Sequence, residues 1–374
     1  MKHYFGIVVI FIAICYVFFN LDLYRQRFDQ VKWQSVYDHS QYCVPDCEFR
    51  GNIDDPELYS LAGYHFVKGA DPSQINPEVQ PLTKYFFGLS ILWFGTALPV
   101  QLIFGVLSLI LLYYLGRHIL GDYLALAPPL LLLIDPLFLD QLIRPFVDLS
   151  LTFWILLYLT FLSSSRYQAH WWWGAIVLGA LSLSKSFSYG ILFSLITMVI
   201  FYLQKTQDSS RLLLKIFGIA LATYLAGYLA FFVRGNSISD FILLHYQILR
   251  LYKGYVPEYP KGEIIRLIFS GQWQTWWGDK GLIPSPFYSY AWPLALLAYF
   301  GTILTHLRQH HQIRIHLVVI TIVLLFISSR LMFPRYLLPA LPSLYLVLAY
   351  LLHTLLNLLQ LSHGRLIRSI PKSQ

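Results

Sequence analysis

Long apolar runs separated by short polar stretches dominate the chain. A bilayer core of about 30 Å requires roughly 17 to 25 apolar residues in one helix, and ten windows of the sequence approach or meet that requirement. They lie at 4–20, 98–116, 123–140, 146–163, 170–185, 187–204, 212–233, 286–305, 315–330 and 335–357. The pattern therefore predicts an all-α polytopic membrane protein with about ten transmembrane helices, built as a single integral-membrane domain over residues 1–374.

Residues 170–204 fit either two short helices or one long tilted helix, and the loop charges decide between them. Ten spans place the N-terminus and the C-terminus in the cytoplasm and collect basic residues in the cytoplasmic loops, as the positive-inside rule requires. One span fewer would move the basic stretch from Lys205 to Lys215 outside. The sequence thus predicts a turn at Lys185-Ser186-Phe187-Ser188 between two helices.

Two segments are much longer than the other loops. They are residues 21–97, between the first and second spans, and residues 234–285, between the seventh and eighth. Loops of this length are usually functional or folded independently. Both fall on the external side in the ten-span topology, so we expect the chemistry at the external face.

Composition narrows the class of protein. Hydrophobic residues make up 57% of the chain and charged residues only 12%, whereas soluble domains carry about 25% charged residues. The formal charge of +8 comes from basic residues scattered singly, so no basic face for nucleic acid is expected.

Cys43 and Cys47 are separated by three residues. They either form a short-loop disulfide or remain as two free thiols.

Acidic residues are concentrated in the first long segment, where Asp54 and Asp55 precede Pro56. Proline favours the first turn of a helix, and apolar residues recur at helical spacing as far as Lys68, which predicts a helix along the membrane surface. The helix dipole would keep both carboxylates ionised. Spacing alone leaves a general base, a metal site and a solvated turn open.

Several short motifs follow one another along the chain. They are Asp54-Asp55-Pro56, Gly63-Tyr64, Asn76-Pro77-Glu78-Val79-Gln80-Pro81-Leu82-Thr83-Lys84, Asp135-Pro136-Leu137-Phe138-Leu139, the glycine-leucine run 179–185 and Pro334-Arg335-Tyr336. Their order and placement resemble the GT-C superfamily of integral-membrane glycosyltransferases, in particular its protein O-mannosyltransferases and lipid A aminoarabinose transferase. Val79-Gln80-Pro81 stands where that branch usually has His-Pro-Pro.

The resemblance implies transfer of a sugar from a polyprenyl-phosphate-linked donor to an acceptor hydroxyl with inversion. It assigns the general base to Asp54, with Asp55 as a close second. Lys84, Lys185 and Arg335 match family motifs and are expected to bind the donor phosphate. The alternative for Lys185 and Arg335 is a role as anchors at the membrane interface.

The remaining candidates are assigned from the residues themselves. We expect Arg144 and Asp148 to form an ion pair that positions the third and fourth spans, in preference to a substrate contact. His245 lies on a helical face with apolar neighbours, where packing is the commoner role. We predict no metal or other cofactor, although the oxygen ligands of Asp54, Asp55 and Glu57 suit magnesium or manganese and keep a divalent metal as an alternative.

The expected partners are the polyprenyl-phosphate-linked sugar, membrane lipids and an acceptor that is a protein, a lipid or a glycan. The expected location is a prokaryotic plasma membrane. A transporter or flippase for lipid-linked sugars is the main rival. Transporters typically have matched halves and midplane charges, whereas this sequence shows no internal repeat and almost no charge inside the spans beyond Asp135. A catalytically inactive scaffold with the same fold is the third possibility.

Overall fold

The computed structural model describes residues 2–42, 48–164, 170–204, 209–254, 261–275, 281–306, 311–329 and 333–368. Cys43 and Cys47 lie outside these ranges. The helices are α1 (Lys2–Phe19), α2 (Leu21–Arg25), α3 (Gln30–Asp38), α4 (Asp55–Val67), α5 (Pro81–Phe94), α6 (Leu98–Leu124), α7 (Ala127–Leu133), α8 (Pro136–Ile143), α9 (Val147–Ser163), α10 (Trp171–Ser184), α11 (Phe187–Gln204), α12 (Ser209–Ala226), α13 (Leu229–Val233), α14 (Ile238–Gly254), α15 (Glu263–Ser270), α16 (Ala291–His306), α17 (His311–Ser328) and α18 (Leu341–Arg368). A 3-10 helix spans Pro334–Leu337, and an antiparallel pair joins β1 (Gln272–Gln274) to β2 (Leu282–Pro284).

The predicted all-α class agrees with the structure, which is 77% helical. Within the described ranges, one helix, α6, is both long enough and apolar enough to cross a bilayer by itself. Helices α8 and α9, which are bent by 114° relative to each other, count as a second membrane span if they are taken together as one broken span. Five other apolar helices are 10–17 residues long in their described parts. Ten spans and two cytoplasmic termini remain predictions.

Three of the predicted spans are not continuous α-helices. The span predicted at 335–357 begins in the 3-10 helix and continues as α18 only from Leu341. In the span predicted at 123–140, α7 ends at Leu133 and α8 begins at Pro136. Asp135 starts the new helix because its side chain accepts hydrogen bonds from the backbone N–H groups of Leu137 and Phe138. The span predicted at 212–233 divides between α12 and α13. The predicted turn between α10 and α11 is confirmed.

The same Asp135 joins three helices in the interior. Its Oδ2 accepts hydrogen bonds from Trp292 Nε1 at 2.7 Å and from the Tyr345 hydroxyl at 2.5 Å. The side chain is buried, and a buried carboxylate is tolerated only with a full set of donors. Asp135 therefore fixes the start of α8 against α16 and α18.

Helices α4 and α5 cross with their backbones in direct contact at two glycines. A Cβ atom added to Gly88 would lie 2.1 Å from the carbonyl oxygen of Gly63, and one added to Gly63 would lie 2.1 Å from that of Lys84. A side chain on either residue would separate the helices. This contact places α4, with the acid pair at its start, rigidly on α5.

The start of α5 is tied in turn to the helices behind it. The Thr83 hydroxyl donates to the carbonyl of Ser184, at 2.7 Å, and lies 2.9 Å from the hydroxyl of Ser150. The backbone N–H of Gln80 donates to the carbonyl of Lys185 at 3.1 Å. Because α9 and α10 carry Ser150 and Ser184, the first long segment is fixed on the helical body.

The two long segments contact each other. Arg234 Nε donates to the Gly69 carbonyl at 2.8 Å, and Asn236 Nδ2 donates to Asp71 Oδ2 at 2.7 Å. Residues 21–97 and 234–285 therefore contact each other, as expected if both lie on the predicted external side.

Replacing Gly88 by valine tests the α4–α5 contact. The added side chain meets the Gly63 backbone, so we expect a loss of stability of about 1–3 kcal/mol or more and a lower thermal unfolding temperature in detergent. Gly218→Val is the matched control because Gly218 is also helical and a Cβ atom added there would have no other atom within 4 Å. Equal unfolding temperatures in the two variants would contradict the close contact.

Candidate active site

The acid pair lies at the beginning of α4, but its two members have different surroundings. Asp54 is the N-cap residue, is exposed and makes no capping hydrogen bond. The Asp55 side chain is 37% exposed, and its Oδ2 lies 2.5 Å from Arg335 Nη2. The structure thus places Asp55, rather than Asp54, in direct contact with a predicted phosphate-binding residue.

A second carboxylate, that of Asp148, connects two of the predicted cations. Asp148 belongs to the first turn of α9, and its side chain is only 1% exposed. Its Oδ1 pairs with Lys185 Nζ, and its Oδ2 lies 3.6 Å from Arg335 Nε. We call Asp55, Asp148, Lys185 and Arg335 the ion cluster. Its members come from α4, α9, the C-terminal end of α10 and the 3-10 helix.

Aromatic rings surround the cations of the ion cluster. Arg335 Cζ lies 4.6 Å from the ring centre of Phe146 and 4.5 Å from that of Phe333. Lys185 Nζ lies 3.9 Å from the ring centre of Tyr336. Cation–π contacts of this kind strengthen when water is excluded, so the rings hold both cations in place beside Asp148.

The arrangement leaves Arg335 able to bind an anion. A guanidinium carries five N–H donors in a planar fork, and the ion pairs engage its Nη2 and Nε edges. The side chains of Arg335 and Lys185 are 17% and 14% exposed. A phosphate reaching the cluster would therefore meet two partly buried cations whose positions are already fixed.

Lys84 does not join the ion cluster. Its side chain is fully buried, its Nζ donates to the Asn76 carbonyl at 2.6 Å, and it lies 5.0 Å from the ring centre of Phe66. Burial lowers the pKa of Lys84 to about 7, an effect that the charge of Glu78 partly offsets. The ammonium holds the loop before α5 on α4, away from the ion cluster. Binding of the donor phosphate by Lys84 stays a prediction.

The expected ion pair between Arg144 and Asp148 is wrong. Arg144 Nε instead lies 3.1 Å from Asp140 Oδ1, one helical turn earlier, and the Arg144 side chain is 56% exposed. The 114° bend between α8 and α9 explains the difference, because it turns the start of α9 away from the end of α8 and towards the ion cluster.

His245 is engaged inside an aromatic group formed by α12 and α14. Its Nε2 lies 2.6 Å from the Tyr224 hydroxyl, and its Nδ1 lies 2.9 Å from the Phe241 carbonyl. Burial lowers the pKa of His245, which favours a neutral ring at pH 7. These contacts give His245 a packing role. The hydroxyls of Tyr224 and Tyr228 lie 2.6 Å and 2.5 Å from Gln80 Oε1, so Gln80 anchors this group to α5.

Sequence reasoning missed the role of Asp148 as the bridge and the aromatic rings around the cations. A signal for the rings is present, since Phe333 and Tyr336 flank Arg335 in the sequence. No such local signal exists for the partners of Asp148, which lie far away along the chain. Among the described residues, no group of three or more His, Cys, Asp or Glu side chains is placed to hold a metal ion.

Comparison with known proteins identifies the architecture. No protein-family model matches the sequence, and no curated protein matches it. Among solved structures, ArnT from Cupriavidus metallidurans bound to undecaprenyl phosphate has 16% sequence identity and a TM-score of 0.62 over 92% of this chain. An oligosaccharyltransferase from Archaeoglobus fulgidus, tethered to an acceptor peptide, has 15% identity and a TM-score of 0.51, also over 92% of this chain. Both are GT-C superfamily membrane glycosyltransferases.

The chain has the fold of these two enzymes. The resemblance seen in the sequence motifs is therefore confirmed at the level of the fold. The match covers 59% of the ArnT chain and 49% of the oligosaccharyltransferase chain, so this protein spans about half to three-fifths of the length of these GT-C enzymes.

The buried Lys84 predicts a pH dependence of stability. The pKa of Lys84 is 10.5 in the unfolded reference and about 7 in the fold, so the unfolded chain binds more protons between these pH values. The free energy of unfolding should therefore rise with pH across this window, by up to about 1.4 kcal/mol per pH unit from this group. Lys84→Met should flatten the dependence, measured as unfolding temperature against pH, whereas Lys68→Met on the exposed end of α4 should not. The same slope in wild type and Lys84→Met would contradict the assignment.

Proposed function

We propose that this protein is an integral-membrane glycosyltransferase that moves a sugar from a polyprenyl-phosphate-linked donor to an acceptor hydroxyl with inversion at the anomeric carbon. The observation that carries the proposal is the ion cluster, in which Arg335 contacts the carboxylate of Asp55 and shares the carboxylate of Asp148 with Lys185. Support comes from the GT-C fold, because the ArnT structure that resembles this chain has undecaprenyl phosphate bound. A prokaryotic plasma membrane is the proposed location.

In this proposal the donor phosphate binds to Arg335 and Lys185. Arginine recognises phosphate through two parallel hydrogen bonds, and lysine contributes a point charge. Asp148 keeps both cations oriented towards the same side while remaining buried itself. The incoming phosphate competes with Asp55 for Nη2 of Arg335, so donor binding draws the guanidinium away from the Asp55 carboxylate.

The released carboxylate of Asp55 then acts as the general base. It takes the proton of the acceptor hydroxyl as that oxygen forms a bond to the anomeric carbon and the bond from this carbon to the phosphate oxygen breaks. The electron pair of the broken bond leaves with the phosphate, and Arg335 and Lys185 stabilise its charge. Phosphate is a good leaving group, so the step requires no general acid. Asp54, the first choice from sequence, is the second candidate because it is exposed and has no contact with the cations.

A lipid-linked sugar transporter and an inactive scaffold are the alternative functions. Both could bind the donor phosphate through the same cations, but neither requires an ionised carboxylate next to them. The position of Asp55 therefore favours the enzyme, and its substitution separates the three possibilities.

The test is transfer of radiolabelled sugar from a panel of polyprenyl-phosphate donors in membranes containing each variant. Asp55→Asn should lower the transfer rate by about 10²–10⁴-fold, the usual contribution of a general base, with donor binding retained. Asp54→Asn should stay within a few-fold of wild type. Glu48→Gln is the matched control because Glu48 is an exposed acid of the same segment, paired with Arg50.

Equal transfer by wild type and both aspartate variants would remove this acid pair from catalysis. Absence of transfer by wild type from every donor, with the donor still bound, would contradict the enzyme and favour a transporter or a scaffold.

A further inference from the structure

A cleft of about 150 Å³ lies at the start of α4, beside the residues that follow the acid pair. Four parts of the chain meet at this cleft. They are the segment between α2 and α3, the first turns of α4, the turn into α6 and the turn between α8 and α9. Its polar and aromatic lining residues include Gln26, Arg27, Trp33, Glu57, Ser60 and Thr96. Asp55 is not among the lining residues. At about 100° of rotation per residue in a helix, Asp55 and Glu57 lie on nearly opposite faces of α4.

Glu57, which lines this cleft, carries a buried carboxylate oxygen, Oε2, without a hydrogen-bond partner among the described residues. Burial is also the main reason that the pKa of the Glu57 carboxyl is raised. Leaving a buried acceptor without a donor costs about 1–3 kcal/mol, and native structures seldom keep such a group without a reason. A donor supplied by a ligand would remove the cost.

Arg27 provides hydrogen-bond donors in the same cleft. No carboxylate lies within ion-pair distance of Arg27 among the residues that the structure describes. Its position is set by the end of α5, where Gly95 has a left-handed conformation with φ of 80° and its carbonyl accepts the N–H of Phe28 at 2.7 Å. A Cβ atom at Gly95 would lie 3.4 Å from Cγ of Arg27, so the turn packs directly on this side chain.

The remaining lining residues define the chemistry of the ligand. Trp33 adds an aromatic surface, while Gln26, Ser60 and Thr96 add neutral polar groups. A phosphate would meet the carboxylate of Glu57, and an acyl chain would leave the polar groups unpaired. The volume is well below the roughly 300–1,000 Å³ of sites for drug-sized ligands. A neutral sugar ring fits, because it combines hydroxyl donors and acceptors with a C–H face that packs on aromatic rings.

We propose that this cleft binds a single sugar ring of the acceptor. Glu57 accepts a hydrogen bond from a ring hydroxyl after a rotation of its side chain, Arg27 donates to sugar oxygens, and Trp33 packs on the C–H face. The inference rests on the proposed function and extends it. The cleft begins at Pro56, the residue after Asp55, and lies on the face of α4 away from Asp55 and Arg335. The ring held there is therefore not the one that reacts but a neighbouring unit of the acceptor, whose reacting hydroxyl reaches Asp55 past the start of the helix. The acceptor is therefore a glycan or a glycosylated molecule.

The experiment measures binding of a panel of methyl hexosides and methyl pentosides to the purified full chain by saturation-transfer NMR. Glu57→Gln and Trp33→Leu should each weaken binding by at least about tenfold, as expected for loss of a hydrogen bond to a charged group or of a large aromatic contact. Glu48→Gln and Trp172→Leu are the matched controls, because Glu48 and Trp172 are exposed and lie outside the cleft. Both controls should bind as wild type does.

Failure of every glycoside to bind wild type, or equal binding by wild type, Glu57→Gln and Trp33→Leu, would overturn the inference. Kinetics separate the two possible sources of the sugar. A higher KM for a glycoside acceptor in Glu57→Gln supports an acceptor site. A rise confined to the KM of the donor would overturn the inference, because it would show that the cleft binds the sugar of the donor.

Failure of the sugar-binding cleft can be told apart from failure of the proposed glycosyltransferase activity. Donor turnover without glycoside binding contradicts this inference alone. Glycoside binding at the cleft without turnover of any donor contradicts the transferase and supports a sugar-binding cleft.

Discussion

The buried carboxylate of Asp148 between Lys185 and Arg335 is the interaction on which the site depends. It joins the first turn of α9 to the C-terminal end of α10 and to the 3-10 helix before α18, and Arg335 extends the connection to Asp55 on α4. Removing one partner of a buried ion pair is costly, typically about 3–5 kcal/mol, because it leaves an uncompensated charge. The four elements are therefore held in one arrangement by a small number of charges, and the same charges supply the phosphate-binding groups of the proposed reaction.

Close backbone packing brings the acids to this point. The glycine contact holds α4 on α5, and the hydrogen bonds of Thr83 and Gln80 hold the start of α5 on α9 and on the end of α10. Asp135 plays a similar part deeper in the helical body, where it fixes α8 against α16 and α18. Apolar burial alone is non-directional. These few polar and backbone contacts fix how the helices are positioned against one another. The cleft beside Glu57 forms between the helices and turns that are positioned in this way.

Sequence reasoning reached the helical class, the break before α11 and the helix that begins at the acid pair, because each leaves a local signal such as hydrophobic periodicity, loop charge or Pro56. The break at Asp135 was missed although Asp135-Pro136 is a helix-start signal, since the surrounding leucines dominated the hydropathy. The partners of Asp148, Arg144 and Lys84 could not be predicted in the same way. A lysine at the start of an apolar helix can point to solvent or to the interior, and only the position of α4 against α5 decides it.

The proposed reaction depends on binding of the phosphate of a polyprenyl carrier by Arg335 and Lys185. The most direct test of this step is equilibrium binding of undecaprenyl phosphate, which carries no sugar to transfer, to purified protein by native mass spectrometry. Arg335→Gln and Lys185→Gln should each lower the affinity by at least about tenfold, the effect expected for loss of a charge-assisted hydrogen bond. Arg144→Gln should bind as wild type does, because Arg144 is exposed and pairs with Asp140. Equal affinity in all four proteins would contradict the account.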